Sequence, residues 1–310
     1  FIANLLPQMK LLITGATGLI GTHVTAVCHE RGYTVNYLTT DKDKIENKPN
    51  YKGFYWNPRE GEIDVSCFEG VDAIINLVGA NIAKRWTETY KKVIIKSRTE
   101  TAELLLKSLT QREHNVKHIV SASGISIYPS SLTKFYTEEH KEVDDTFIAD
   151  VVVKWEAAID AFETIGIDVA KLRIGLVLAE EDGALPKLAQ PVKLGVGAPL
   201  GSGKQWQSWI HIDDLARMFV HVVDQHLDGV YNAATSKPQT NKEITLYIAE
   251  TLNKPLWLPN IPKPVIKLML GEMATVVLGS QMASNHKIAS TGFVYEYHHI
   301  KLALEDLLKN

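Results

Sequence analysis

A short apolar run, residues 10–14, ends in Gly15-Ala16-Thr17-Gly18-Leu19-Ile20-Gly21, and helical spacing of apolar residues begins directly behind it. A buried strand that turns through glycines straight into a helix confines the chain to a parallel β-α-β arrangement, because the helix must return over the strand. Gly15 permits the sharp turn. Gly18 lets backbone N–H groups of the Thr17, Leu19 and Ile20 region approach a pyrophosphate, which the helix N-terminus also attracts. Gly21 permits close contact of helix and strand. The spacing is GxxGxxG rather than GxGxxG, and its strand–turn–helix setting is what points to a dinucleotide.

The remainder of the first half repeats the alternation. A helix over residues 20–31 is closed by Gly32. Strands are expected over 34–38, 72–77, 118–123 and 169–178, and helices over 88–109 and 150–165. The expected fold class is α/β: a Rossmann-type doubly wound parallel sheet with a smaller, mostly helical C-terminal lobe. Residues 9–178 form the expected nucleotide-binding domain, its sheet completed by part of 205–235. Residues 179–210 and 236–310 form the expected substrate-side lobe. Segment 183–209 is rich in Gly, Pro and Lys and reads as a long structured excursion. Helices are expected over 211–223, 241–252 (capped by Asn241), 265–278 and 300–308. Pro255, Pro259 and Pro262 keep the stretch between two of these irregular.

Composition narrows the function classes. Hydrophobic residues make up 45% of the chain, enough for a full core, so a disordered tail is excluded. The apolar stretch 264–279 is broken by Lys267 and Glu272 and falls short of the ~18–20 residues of a membrane span. The net charge of −3 gives no strong basic field. Neither nucleic acid nor membrane is an expected partner; a small molecule is. Cys28 and Cys67 make no disulfide framework and have no CxxC neighbour, so no metal is expected and a reducing cytoplasmic compartment is. The first eight residues, FIANLLPQ, lack the basic region and length of a signal peptide, and Met9-Lys10 reads as a natural start. The sequence leaves the oligomeric state open.

The end of the second strand should meet the cofactor ribose, where NAD sites usually carry Asp or Glu. Here it reads Leu38-Thr39-Thr40-Asp41-Lys42. The first positions are hydroxylic, Asp41 comes late, and Lys42 and Lys44 follow. NADP is therefore expected, with NAD as the alternative.

These residues resemble the short-chain dehydrogenase/reductase superfamily in its extended form. Gly15 to Gly21 matches the extended glycine pattern. Asn76-Leu77-Val78-Gly79 looks like the turn after the fourth strand that lies along the cofactor, and residues 209–216 look like a late segment of extended members. Arg85-Trp86, Ser97-Arg98, Lys154-Trp155-Glu156-Ala157-Ala158, Gly183-Ala184-Leu185-Pro186, Gly201-Ser202-Gly203-Lys204-Gln205-Trp206 and Trp209-Ile210-His211 resemble one atypical branch, the epimerase family, over residues 9–308. The resemblance implies an NADP-type cofactor. It places Thr39 and Thr40 at the adenosine phosphate, Leu77, Val78 and Gly79 along adenine and ribose, Arg98 as a cofactor contact, and Val177 at the nicotinamide end. The branch commonly has arginine where Thr40 stands, a departure that weakens the phosphate clamp.

Standard members use Tyr-x-x-x-Lys as the acid/base pair. Counting back from Glu156 puts that pair near Ile148 and Val152, and no such motif exists there. Tyr128 is the expected substitute proton donor, with Ser123 at the strand end as its orienting partner. Trp86, Lys204, Trp206 and His211 are expected at the substrate. His211 has a second reading, as a cap anchoring the helix that follows it.

Overall fold

The computed structural model describes residues 9–309, so the FIANLLPQ segment lies outside the described residues. Seven parallel strands make the body of the main sheet. In chain order they are β1 (Lys10–Thr14), β2 (Thr34–Thr39), β3 (Tyr51–Asn57), β4 (Ala73–Asn76), β5 (His118–Gly124), β6 (Asp168–Ile174) and, beyond two strands outside this sheet, a last strand (Gly229–Ala233). The two others, β7 (Leu176–Leu178) and β8 (Trp209–His211), pair with each other in parallel, so the last strand is β9. The spatial order is β9-β6-β5-β4-β1-β2-β3, with the short segments Asn47–Lys48 and Glu62–Ile63 antiparallel on β3.

β1 is therefore the switch point. The chain leaves it to one side through β2 and β3, then returns to its other side at β4. Crevices at the carboxyl ends of such strands are where open α/β sheets bind ligands.

Helices α1 (Leu19–Glu30) and α2 (Glu88–Thr110) follow β1 and β4; α3 (Phe147–Asp160) follows β5. α4 (Ala184–Lys193) and α5 (Ile212–Asp224) come next. α1 packs on α5 and α2 on α3, and the two pairs cover the sheet. The strands read as near-continuous apolar runs because both of their faces are buried: Leu11, Leu12, Ile13, Ile74, Ile75, Ile119 and Val120 are all inaccessible.

The chain ends in α6 (Asn241–Thr251), α7 (Lys263–Leu270), α8 (Ala274–Leu278), α9 (His286–Ala289) and α10 (Ile300–Lys309). A second apolar cluster, with Leu178, Leu185, Val192, Trp209, Ile244, Ile248, Leu304 and Leu307, joins α4, α6 and α10 to the β7–β8 pair.

Four local expectations change. The strand expected over 169–178 breaks at Gly175, where a Cβ would lie 2.3 Å from the Ser208 carbonyl oxygen; the chain steps there from the main sheet to the β8 partner. The excursion 183–209 contains the regular helix α4, with Pro191 inside it. The helix expected over 265–278 is interrupted at Gly271, whose φ of +60° is left-handed. Thr240, not Asn241, caps α6, in a reciprocal capping box with Glu243, while Asn241 Oδ1 accepts from the Leu200 N–H.

Candidate functional site

The glycine turn and the turn after β4 meet at the switch point. Gly15 has φ +72°, and a Cβ there would stand 3.1 Å from the Leu77 carbonyl carbon. A Cβ on Gly21 would stand 2.1 Å from the Gly15 carbonyl oxygen, so α1 lies directly against the turn. Gly18 is the N-cap of α1 with no side-chain cap, and Thr17 and Gly18 are exposed while Leu19 and Ile20 are half-buried. The turn therefore presents an open, uncapped helix N-terminus, the arrangement that favours an anion.

A buried polar ladder holds this geometry. Thr14 Oγ1 donates to Asn76 Oδ1 at 2.7 Å, and Asn76 Nδ2 donates to Ser121 Oγ at 3.0 Å. Thr14 Oγ1 in turn accepts from the N–H groups of Leu77 and Val78. The ends of β1 and β4 and the middle of β5 are thus pinned in register, and the Leu77–Val78 turn is fixed above them. The sequence reading assigned roles to the turn but not to Thr14 or Ser121; Thr14 is the hydroxyl that ends β1, whereas Ser121 lies in the middle of β5.

Arg98 lies beneath the same turn. A Cβ on Gly79 would lie 2.9 Å from its guanidinium carbon. Its Nη1 donates to the Ile94 carbonyl at 3.0 Å, and the guanidinium stacks 4.9 Å from the Trp155 ring centroid. Burial lowers its pKa from the ordinary 12.5 to about 10, with no carboxylate pairing among the described residues.

At the end of β2, Thr39 is buried and its hydroxyl bonds the backbone of Asp41. The Asp41 carboxylate accepts from the Asp43 N–H and so caps a short helical turn. Thr40 is exposed, and Lys42 Nζ stands 4.6 Å from the Tyr55 ring centroid. Val177 is half-buried on β7, in contact with both apolar clusters.

The residues expected to carry catalysis lie elsewhere than at an open pocket. Tyr128 is fully buried. Its hydroxyl donates to Asn232 Oδ1 at 2.8 Å and accepts from Arg173 Nη1 at 3.0 Å, and its ring stacks on Tyr136. Ser123 Oγ donates to Glu156 Oε1 at 2.6 Å, and Arg173 grips both oxygens of Glu156. Burial works to raise the Glu156 carboxyl, but the Arg173 fork and the Ser123 bond outweigh it and hold the group below the ordinary range. Tyr128 and Ser123 thus belong to a closed core network whose members already satisfy one another. That withdraws Tyr128 as a proton donor and Ser123 as its orienting partner.

The positions expected to hold the Tyr and Lys of Tyr-x-x-x-Lys are apolar, and the polar residues of that stretch, Asp150 and Lys154, are exposed and bonded to each other. Ile148, Val151 and Val152 are buried and Phe147 is half-buried. Trp86 is also buried, edge-on to Phe147 at 5.1 Å, with its Nε1 donating to the Ile82 carbonyl. Ser126 is half-buried beside this stretch. A Cβ on Gly124 would lie 3.2 Å from its Oγ and 3.4 Å from Val152 Cγ2.

Lys204 is exposed, and Trp206, half-buried, donates from Nε1 to the Leu132 carbonyl. His211 is fully buried and caps α5, accepting from the Asp213 N–H at Nδ1, so its expected place at a substrate is corrected to the capping role. This bond places the imidazole proton on Nε2, which faces Asp306 Oδ2 at 3.3 Å. His211, Asp213 and Asp306 approach within 4.8 Å of one another, but in this tautomer Nε2 carries its proton and offers no lone pair to a cation. His23 Nδ1 on α1 lies 2.7 Å from Asp213 Oδ1, so the cluster ties α1, α5 and α10 together.

A doubly wound parallel sheet with an uncapped glycine turn at its switch point defines a Rossmann-type protein of the extended short-chain dehydrogenase/reductase kind. The chain belongs to the NAD dependent epimerase/dehydratase family, whose pattern matches residues 11–234; residues 261–307 match a domain of unknown function, DUF1731. It is 33% identical over 303 residues to an epimerase family protein of Staphylococcus epidermidis, covering 97% of this chain and 99% of that one, and 34% identical to a Staphylococcus aureus counterpart with the same coverage. Its fold is similar to human epimerase family protein SDR39U1, solved with NADPH, with a TM-score of 0.84 and 30% identity over 97% of this chain and 100% of that one. A nucleoside-diphosphate sugar epimerase of Corynebacterium glutamicum has a TM-score of 0.76 and 26% identity, covering 97% of this chain and 58% of that one.

Proposed function

We propose that this protein binds NADP(H) across the carboxyl ends of β1, β4 and β2 and acts on a small polar, sugar-like molecule. The observation that carries the reading is the cradle: Gly15, Gly18 and Gly21 leave the backbone bare where the α1 N-terminus opens, and the Thr14–Asn76–Ser121 ladder holds the facing turn in place. These residues fit a dinucleotide. Thr17, Leu19 and Ile20 take the pyrophosphate, Leu77, Val78 and Gly79 the adenine and ribose side, and Val177 the nicotinamide end. Arg98 supports Gly79 from below and brings a buried positive charge to the same turn. The 2′-phosphate reading is supported by the end of β2, where the hydroxylic Thr39 and Thr40 come first and Asp41 follows as the cap of the turn at Asp43. The NADPH bound to the human relative supports the same choice. The cofactor, when bound, supplies hydride transfer.

A second reading has its own observation. Phe147, Ile148, Val151 and Val152 put no proton donor in the frame where the family's usual pair stands, and Tyr128 is closed into the core. A nucleotide sensor with little or no turnover fits that wall. Incubation of the protein and NADPH with a panel of carbonyl compounds separates the two. Loss of nicotinamide absorbance with a stereospecific product supports the enzyme; tight NADPH binding with every compound left unreduced supports the sensor.

A further inference from the structure

The least covered apolar surface among the described residues lies on α7, in the segment that matches a domain of unknown function. Leu268 is 85% exposed and Met269 72%, and Val265 beside them is also exposed; only Ile266 of this helix is buried. Leaving such side chains in water is costly, about 1.5–3 kcal/mol for a Leu-sized group against full burial. The helix carries Lys263 and Lys267 and no acidic residue. Its neighbour Glu272 pairs with Lys91 on α2.

The base of α7 adds charge of the same sign. A Cβ on Gly201 would lie 3.5 Å from Lys263 Cγ, and a Cβ on Gly203 would lie 3.1 Å from Lys242 Cβ. Lys242 and Lys263, both exposed, thus flank the same turn, Gly201–Gly203. None of Lys242, Lys263 and Lys267 is within 4 Å of a carboxylate oxygen among the described residues. In a chain of net charge −3, an apolar tip ringed by lysines is a local inversion of sign.

We propose that this face docks on an anionic phospholipid bilayer, with Leu268 and Met269 entering the interface and Lys242, Lys263 and Lys267 meeting the headgroup phosphates. Short helices with an apolar face and lysine flanks lie in the plane of a membrane surface rather than across it. The absence of a spanning helix is thus no obstacle, although the contact revises the expectation of no membrane partner. A second copy of the chain is the less suitable occupant, because a two-fold contact through this face sets lysines against lysines. The inference does not depend on the NADP(H) reading.

Co-sedimentation of the full chain with vesicles tests it. Binding is expected to vesicles of phosphatidylcholine mixed with phosphatidylserine, not to phosphatidylcholine alone, and is weakened by salt. Lys263→Gln and Lys267→Gln should each lower partitioning about fivefold. Leu268→Asp should lower it about tenfold or more. All three sites are exposed, so circular dichroism and the thermal midpoint should not move. Equal sedimentation with and without anionic vesicles would overturn the proposal, as would anionic binding that Leu268→Asp leaves intact. A concentration-dependent dimer abolished by Leu268→Asp, with no vesicle binding, would instead assign the face to a second copy.

Discussion

A Cβ on Gly15 would stand 3.1 Å from the carbonyl carbon of Leu77, so the glycine turn and the turn after β4 are packed backbone to backbone. Gly15→Ala meets that contact and a φ of +72° together. It should push the Leu77–Val78 turn away and weaken NADPH binding at least tenfold by calorimetry. Gly21→Ala, aimed at the Gly15 carbonyl oxygen, should cost stability first, about 1–3 kcal/mol in urea unfolding.

The buried Glu156–Arg173 pair predicts a stability effect. Glu156→Gln leaves Arg173 without its countercharge and should destabilise by ~3–5 kcal/mol. The folded-state pKa of Glu156 is depressed. Its contribution is therefore fully present above the ordinary glutamate value, ~4.3, and is lost as the pH falls through the lower folded value. Denaturant midpoints measured through the acid range should show this loss in the parent protein and not in Glu156→Gln.

Tyr128→Phe should leave NADPH affinity unchanged. It removes the hydroxyl that joins Asn232 to Arg173, at a cost of about 1–3 kcal/mol. A thermal midpoint that falls while binding stays constant is the expected pattern.

Much of the central fold was legible because burial writes itself into sequence. The apolar strands, the Gly32 helix end and the long α2 all follow from periodicity. The interruptions were not legible, because Gly175 and Gly271 have local surroundings like those of any glycine, and only the Ser208 carbonyl explains the first break. The geometry of the glycine turn was readable for the opposite reason: it lies in contiguous backbone. The catalytic assignments failed at Tyr128 and Ser123 because both side chains are claimed by distant residues, Asn232, Arg173 and Glu156, whose proximity no local pattern reveals.

Burial lowers the His211 pKa, and the sign of the resulting pH effect is the reverse of a salt-bridged histidine's. The unfolded chain binds the proton more readily, so stability is full above the unfolded value, ~6.5, and falls as the pH drops from there toward the folded value. His211→Asn keeps a side-chain acceptor at the α5 cap and should remove that slope. His211→Ala should lose the cap as well, costing ~0.5–2 kcal/mol.

The central claim is that NADP(H) lies on the Gly15–Gly21 turn. Its most direct test is calorimetric titration of NADPH into the parent protein and into Gly18→Val, whose Cβ starts 3.3 Å from the Gly15 carbonyl oxygen and whose branches add bulk where the pyrophosphate is proposed to lie. Saturable binding to the parent and none to Gly18→Val, with both proteins folded by circular dichroism, is the predicted result. Equal NADPH affinity for the two, or no binding to the parent, would contradict it.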